Sequence, residues 1–99
     1  MSENRLFVFA KIHPKNEHFE EAKQAIINIL PLTRQEPGCR QFKLHENATE
    51  KCLFLYEEWE NELALEAHYQ KPYTAAVFER YQEWLAAPVD VTKMQRLND

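Results

Sequence analysis

The chain has 99 residues, 44 % apolar and 28 % charged, with twelve Lys and Arg against sixteen Asp and Glu for a formal charge of −4. That size suits one domain with a modest core over residues 1–99, since such a chain buries roughly 60–68 % of the surface its unfolded form exposes, and the composition excludes a disordered tail or a membrane span. Gly38 is the only glycine, which excludes a glycine-rich phosphate loop, and no basic block marks a nucleic-acid surface.

The start, Met1-Ser2-Glu3-Asn4-Arg5, leads into a strand-like stretch without an apolar leader, so a cytoplasmic protein is expected. Cys39 and Cys52 are too few for a disulfide scaffold and match no zinc spacing. Both thiols are expected to be free.

Residues 5–13 alternate. Leu6, Val8, Ala10 and Ile12 share one face and Phe7, Phe9 and Lys11 the other, the pattern of a strand ended by Pro14. Asn16 is placed to cap a helix whose apolar residues, Phe19, Ala22, Ile26, Ile29, Leu30 and Thr33, recur at steps of three and four. Pro31 is expected to kink it and Glu36-Pro37-Gly38 to stop it, with Gly38 supplying a positive φ at the turn. Residues 39–46 and 51–59 then read as a hairpin about the polar turn Asn47–Glu50. Centring that turn on Ala48 and Thr49 sets His45 opposite Cys52 and Cys39 opposite Glu58.

Asn61 caps a short helix through Tyr69, and Pro72 opens another with an inward stripe of Tyr73, Val77, Tyr81, Trp84 and Leu85, closed by Pro88. Residues 89–94 alternate as a last strand. The order β-α-β-β-α-α-β gives an α+β fold of the ferredoxin-like, split βαβ kind, an antiparallel sheet with helices on one face. Phe7 and Phe9 then face away from the helices, with either the Leu53-Leu55-Glu57-Trp59 or the Cys52-Phe54-Tyr56 row beside them. An apolar sheet face of that kind predicts a homodimer packed sheet to sheet.

Spacing shows no nucleophile triad and no metal motif among His13, His18, His45 and His68. Chemistry is most plausible around Glu57, Trp59, His68 and Tyr73: a carboxyl among apolar neighbours, an indole, an imidazole on the apolar side of a helix and a phenol at a helix start. The same residues also fit a purely structural reading, with Trp59 and Tyr73 covering core, His68 bonding a carbonyl and Glu57 pairing with Arg40 or Lys43.

Phe7-Val8-Phe9-Ala10-Lys11-Ile12, Arg34-Gln35-Glu36-Pro37-Gly38-Cys39, and above all Glu57-Glu58-Trp59 followed by Leu65-Glu66-Ala67-His68 resemble the antibiotic biosynthesis monooxygenase domain family over nearly the whole chain. The resemblance implies a dimeric α/β barrel whose last strand reaches the partner. It also implies oxidation of a quinol or other dihydroxyaromatic by dioxygen with no cofactor and no metal. His68 is then the base, Trp59 a wall or donor, Glu57 the group that orients the imidazole, and Tyr73, Phe7 and Phe9 substrate contacts. Two rivals remain: isomerisation of a small phosphorylated sugar, and a non-enzymatic dimeric ligand-binding module. Many family members carry histidine where this chain has Tyr73, and the haem-degrading branch uses a first-strand asparagine where this chain has phenylalanines.

Overall fold

The computed structural model describes residues 5–98, and the Met1–Asn4 start lies outside them. In chain order the elements are β1 (Leu6–Ile12), a 3₁₀ turn (Asn16–His18), α1 (Phe19–Arg34), β2 (Cys39–Asn47), β3 (Cys52–Trp59), α2 (Glu62–Gln70), α3 (Pro72–Trp84) and β4 (Asp90–Met94). The four strands form one sheet in the order β2-β3-β1-β4, antiparallel throughout. This is the α+β, ferredoxin-like arrangement that the element order predicts. β4 pairs with β1 of its own chain.

Strand alternation divides the residues between the two faces of the sheet. Leu6, Val8, Ala10 and Ile12 pair with Trp59, Glu57, Leu55 and Leu53 respectively, and the apolar members of this set join the core beneath the helices. The Cys52-Phe54-Tyr56 row therefore points away from the helices with Phe7 and Phe9. Phe19, Ala22, Ile26 and Ile29 of α1, Leu65 of α2, and Val77 and Tyr81 of α3 complete the core. Burying each large aliphatic side chain contributes roughly 1.5–3 kcal/mol. The Tyr81 hydroxyl donates to the Ala22 carbonyl at 2.8 Å and ties α3 to α1.

Local chemistry explains several departures from the sequence pattern. Asn16 begins the 3₁₀ turn and caps no α-helix; α1 starts three residues later, with His18 at its N-cap and no side-chain cap. α1 runs through Pro31 to Arg34. α3 ends at Trp84, before Pro88. In the hairpin, Asn47 pairs with Cys52, His45 with Phe54 and Cys39 with Trp59, so the turn sits one residue later than the pattern suggests. The Asn47 side chain accepts from the amides of Thr49 and Glu50, both at 3.1 Å. Lys51 takes the left-handed conformation at φ 58°, which closes the loop.

Gly38 does not have a positive φ. Its role is steric: a Cβ there would overlap the Cβ of Ala64 on α2. Glycine is what lets the chain leaving α1 pass against α2. Asn61 does cap α2, its side chain accepting from the Ala64 amide at 2.9 Å. Among the described residues no helix is long and apolar enough to cross a membrane.

Candidate active site

β3 carries Glu57 and Trp59 into the core, and α2 sends His68 down to meet them. The Trp59 and His68 rings lie 4.8 Å apart between centroids, and Phe42 of β2 sits edge-on to His68 at 5.4 Å. The Trp59 indole N–H donates to Glu57 Oε1 at 2.8 Å. Glu57 has little else to stabilise its charge. Burial pushes its carboxyl up to about 7, with the indole bond pulling the other way. The expected pairing with Arg40 or Lys43 does not form: Glu57 points to the helix side, and Arg40 reaches Glu60 at 3.7 Å.

His68 is held by Glu36, a residue the sequence reading used only as part of a helix stop. Its Nδ1 lies 2.9 Å from Glu36 Oε2. A carboxylate only accepts, so Nδ1 carries the hydrogen and Nε2 is the nitrogen left to take a proton. Burial lowers the His68 pKa from its ordinary value, against the opposing pull of Glu36, which keeps the ring neutral near pH 7. The Tyr73 hydroxyl donates to the same Glu36 oxygen, and the Thr74 hydroxyl lies 3.4 Å from His68 Nδ1. Imidazole orientation is thus the work of Glu36, not of Glu57.

Glu36 follows the C-terminal end of α1, where unpaired carbonyls disfavour an anion, and its burial there calls for donors from elsewhere in the fold.

Glu57 and His68 line a cavity of about 40 Å³ between the sheet and the helices, with Phe42, Tyr69, Thr74 and Phe78 among its walls. Burial raises the Tyr69 phenol to about 12, so it stays protonated. Trp59 touches both ionisable groups but is not among the residues that line the cavity. Tyr73 meets Glu36 and not the cavity. Phe7 and Phe9 are not part of this site, because alternation along β1 sends them to the opposite face of the sheet, where Phe9 stacks on Phe54 at 5.8 Å. No cluster of three or more His, Cys, Asp or Glu suited to a metal occurs among the described residues.

Fold and site together define a small ferredoxin-like domain with a Glu-oriented histidine and a second carboxyl, of raised pKa, in a mostly apolar cavity. Residues 5–80 match the sequence model of the antibiotic biosynthesis monooxygenase family, and the chain belongs to that family. It is 36 % identical over 83 residues to an uncharacterized protein, sll1783, of Synechocystis sp.; the match covers 82 % of this chain but only 54 % of that protein's length. It is 28 % identical over 92 residues to the Mycobacterium tuberculosis protein named "Putative monooxygenase Rv0793", covering 93 % of this chain and 91 % of that one. The solved structure of Rv0793 superposes with a TM-score of 0.90 at 27 % identity, over 96 % of this chain and 97 % of that one. PA3566 from Pseudomonas aeruginosa shares the fold, with a TM-score of 0.89 at 23 % identity and 96 % coverage of both chains.

Proposed function

We propose that the protein is a monooxygenase that places one atom of dioxygen on a dihydroxyaromatic, a quinol or close relative, with no resident cofactor. The observation that carries this reading is the His68–Glu36 pair. It presents a neutral imidazole, oriented through Nδ1, in an apolar cavity of aliphatic and aromatic walls that also holds Glu57.

His68 Nε2 removes a phenolic proton. The resulting phenolate passes one electron to dioxygen, and the superoxide and the aryloxyl radical, whose spin is shared by its ring carbons, combine at a ring carbon to give a peroxide. Loss of the hydrogen on that carbon and cleavage of the O–O bond leave a carbonyl and release water, so dihydroxyaromatic plus dioxygen gives hydroxyquinone plus water. The protein contributes proton transfer, orientation and exclusion of bulk water. Glu57, half-protonated near pH 7, supplies the proton that the departing oxygen takes.

The phosphorylated-sugar rival is disfavoured by the lining. No Lys or Arg is among the residues that line the cavity, so a phosphate dianion would meet Glu57 without a cation to offset it.

The test is dioxygen uptake with a hydroquinone panel in chelator-treated buffer, with isotopically labelled dioxygen. Wild-type protein is expected to place one labelled atom in the product, and His68→Ala to lose about 10²- to 10⁴-fold in rate while keeping its circular dichroism spectrum. An unchanged rate in a folded His68→Ala, or label absent from the product, would overturn the reading.

The homodimer belongs to the same proposal. Phe9 is 41 % exposed on the open sheet face beside Phe54, and a two-fold axis would cover that face with its own copy. Light scattering is expected to give twice the chain mass, and a monomer at micromolar concentration would remove the dimer.

A further inference from the structure

A cavity of about 40 Å³ has room for little more than a water, whereas pockets that enclose drug-sized ligands measure roughly 300–1,000 Å³. An aromatic ring reaches His68 only where a wall opens. The wall between α3 and β4 is the thin one. α3 packs against α1 and α2, while β4 is an edge strand paired only with β1. The connection between α3 and β4 is anchored at both ends: Leu85 bridges Pro14, the Ala86 amide donates to the His13 carbonyl at 2.8 Å, and Asp90 begins the β4 ladder with Lys11. Ala87, Pro88 and Val89 span the gap between these anchors.

Directly outside lies a groove of about 510 Å³ formed by the C-terminal half of α3 and this connection. Phe78, Tyr81 and Val89 line both the groove and the cavity, so a single layer of side chains separates the two spaces. Phe78 is 41 % exposed although it also walls the cavity. Among the described residues none that lines the groove is charged, in a chain where 28 % of residues are.

We propose that the groove is the second half of the substrate site and that the substrate is amphipathic. Its hydroxylated ring passes between Phe78 and Val89 to reach His68, and an uncharged hydrocarbon chain on that ring stays outside against Phe78, Leu85 and Pro88. This rests on the reading of the His68 cavity as the place where a hydroxylated ring reacts. The combined space accounts for two observations that the cavity alone does not: a reactive pair with no room beside it, and an uncharged groove one side-chain layer away from it.

The test measures anaerobic binding of hydroquinones with alkyl chains of none to eight carbons, each below its micelle concentration, by quenching of tryptophan fluorescence in the full chain. Wild-type affinity is expected to rise about fourfold per methylene, the value of burying a CH₂, until the groove is full. Ala87→Asp, which places a charge at an exposed groove position, and Phe78→Ser are each expected to flatten that dependence. Affinity independent of chain length in the wild type would overturn the proposal. So would a dependence that survives both variants, or loss of self-association in Ala87→Asp with the dependence intact, which would make the groove a contact between copies. Chain-length-dependent binding with no dioxygen uptake in air keeps the groove and removes the monooxygenase reading. Turnover with affinity indifferent to chain length does the reverse.

Discussion

Glu57 and Glu58 are consecutive residues of β3, each 5 % exposed, and they lie on opposite faces of one sheet. On the open face, Glu58 is surrounded by donors: Gln41 Nε2 at 2.7 Å, the Tyr56 hydroxyl at 3.0 Å and the Arg5 guanidinium at 3.6 Å. On the helix face, Glu57 has one indole N–H and apolar walls, and its carboxyl is pushed up to about 7. The two carboxyls are equally shielded from solvent, and their hydrogen-bond partners differ. What separates the two is the number of donors that the neighbouring strands deliver to each. The helix face assembles its donors around Glu36 and His68 instead, which leaves Glu57 poised.

The largest expected effect breaks the open-face network. Glu58→Ala should destabilise the fold by about 3 kcal/mol, because Gln41 and Tyr56 lose their shared acceptor and Arg5 its carboxylate. Urea unfolding reads this, and a change below about 1 kcal/mol would show that the network is not structural.

The next sharpens the contrast through pH. Between the ordinary value of 4.5 and about 7, the folded chain keeps the Glu57 proton that the unfolded chain has released, so stability falls as pH climbs through that window. The penalty is on the order of 3 kcal/mol and is fully imposed above about pH 7. Glu57→Gln keeps the acceptor for Trp59 and removes that penalty. It should therefore stabilise the protein by about 2 kcal/mol near pH 8 and change it little near pH 5. His68 acts on the acid side: its folded-state value is lowered, so stability falls as pH drops below the ordinary 6.5 toward that value. That acid loss should persist in Glu57→Gln.

Much of the fold was legible because it depends on periodicity. The two faces of β1 and the α1 stripe from Phe19 to Thr33 follow directly from steps of two and of three to four. The hairpin register was not legible, since an Asn side chain turn and a left-handed Lys51 moved the loop by one residue without altering the apolar pattern. The need for glycine at 38 is legible, but its cause is not: the constraint comes from Ala64, 26 positions along the chain, and not from a positive φ. The site divided in the same way. His68, Glu57 and Trp59 stand within one strand and the following helix, where local spacing brings them together. Glu36 lies 32 residues from His68, so only the way the chain leaving α1 passes against α2 reveals it. Alternation along β1 sets Phe7 and Phe9 on the face away from His68, against the substrate contacts that the family resemblance implies for them.

The account rests on Glu57 being the poised carboxyl of the pair. Its titration can be followed directly by carbon-13 NMR of glutamate-labelled protein, with the Glu57 resonance identified by its loss in Glu57→Gln. A midpoint near 7 is the predicted result. A midpoint in the ordinary carboxylate range near 4.5 would contradict the account and return Glu57 to a structural role.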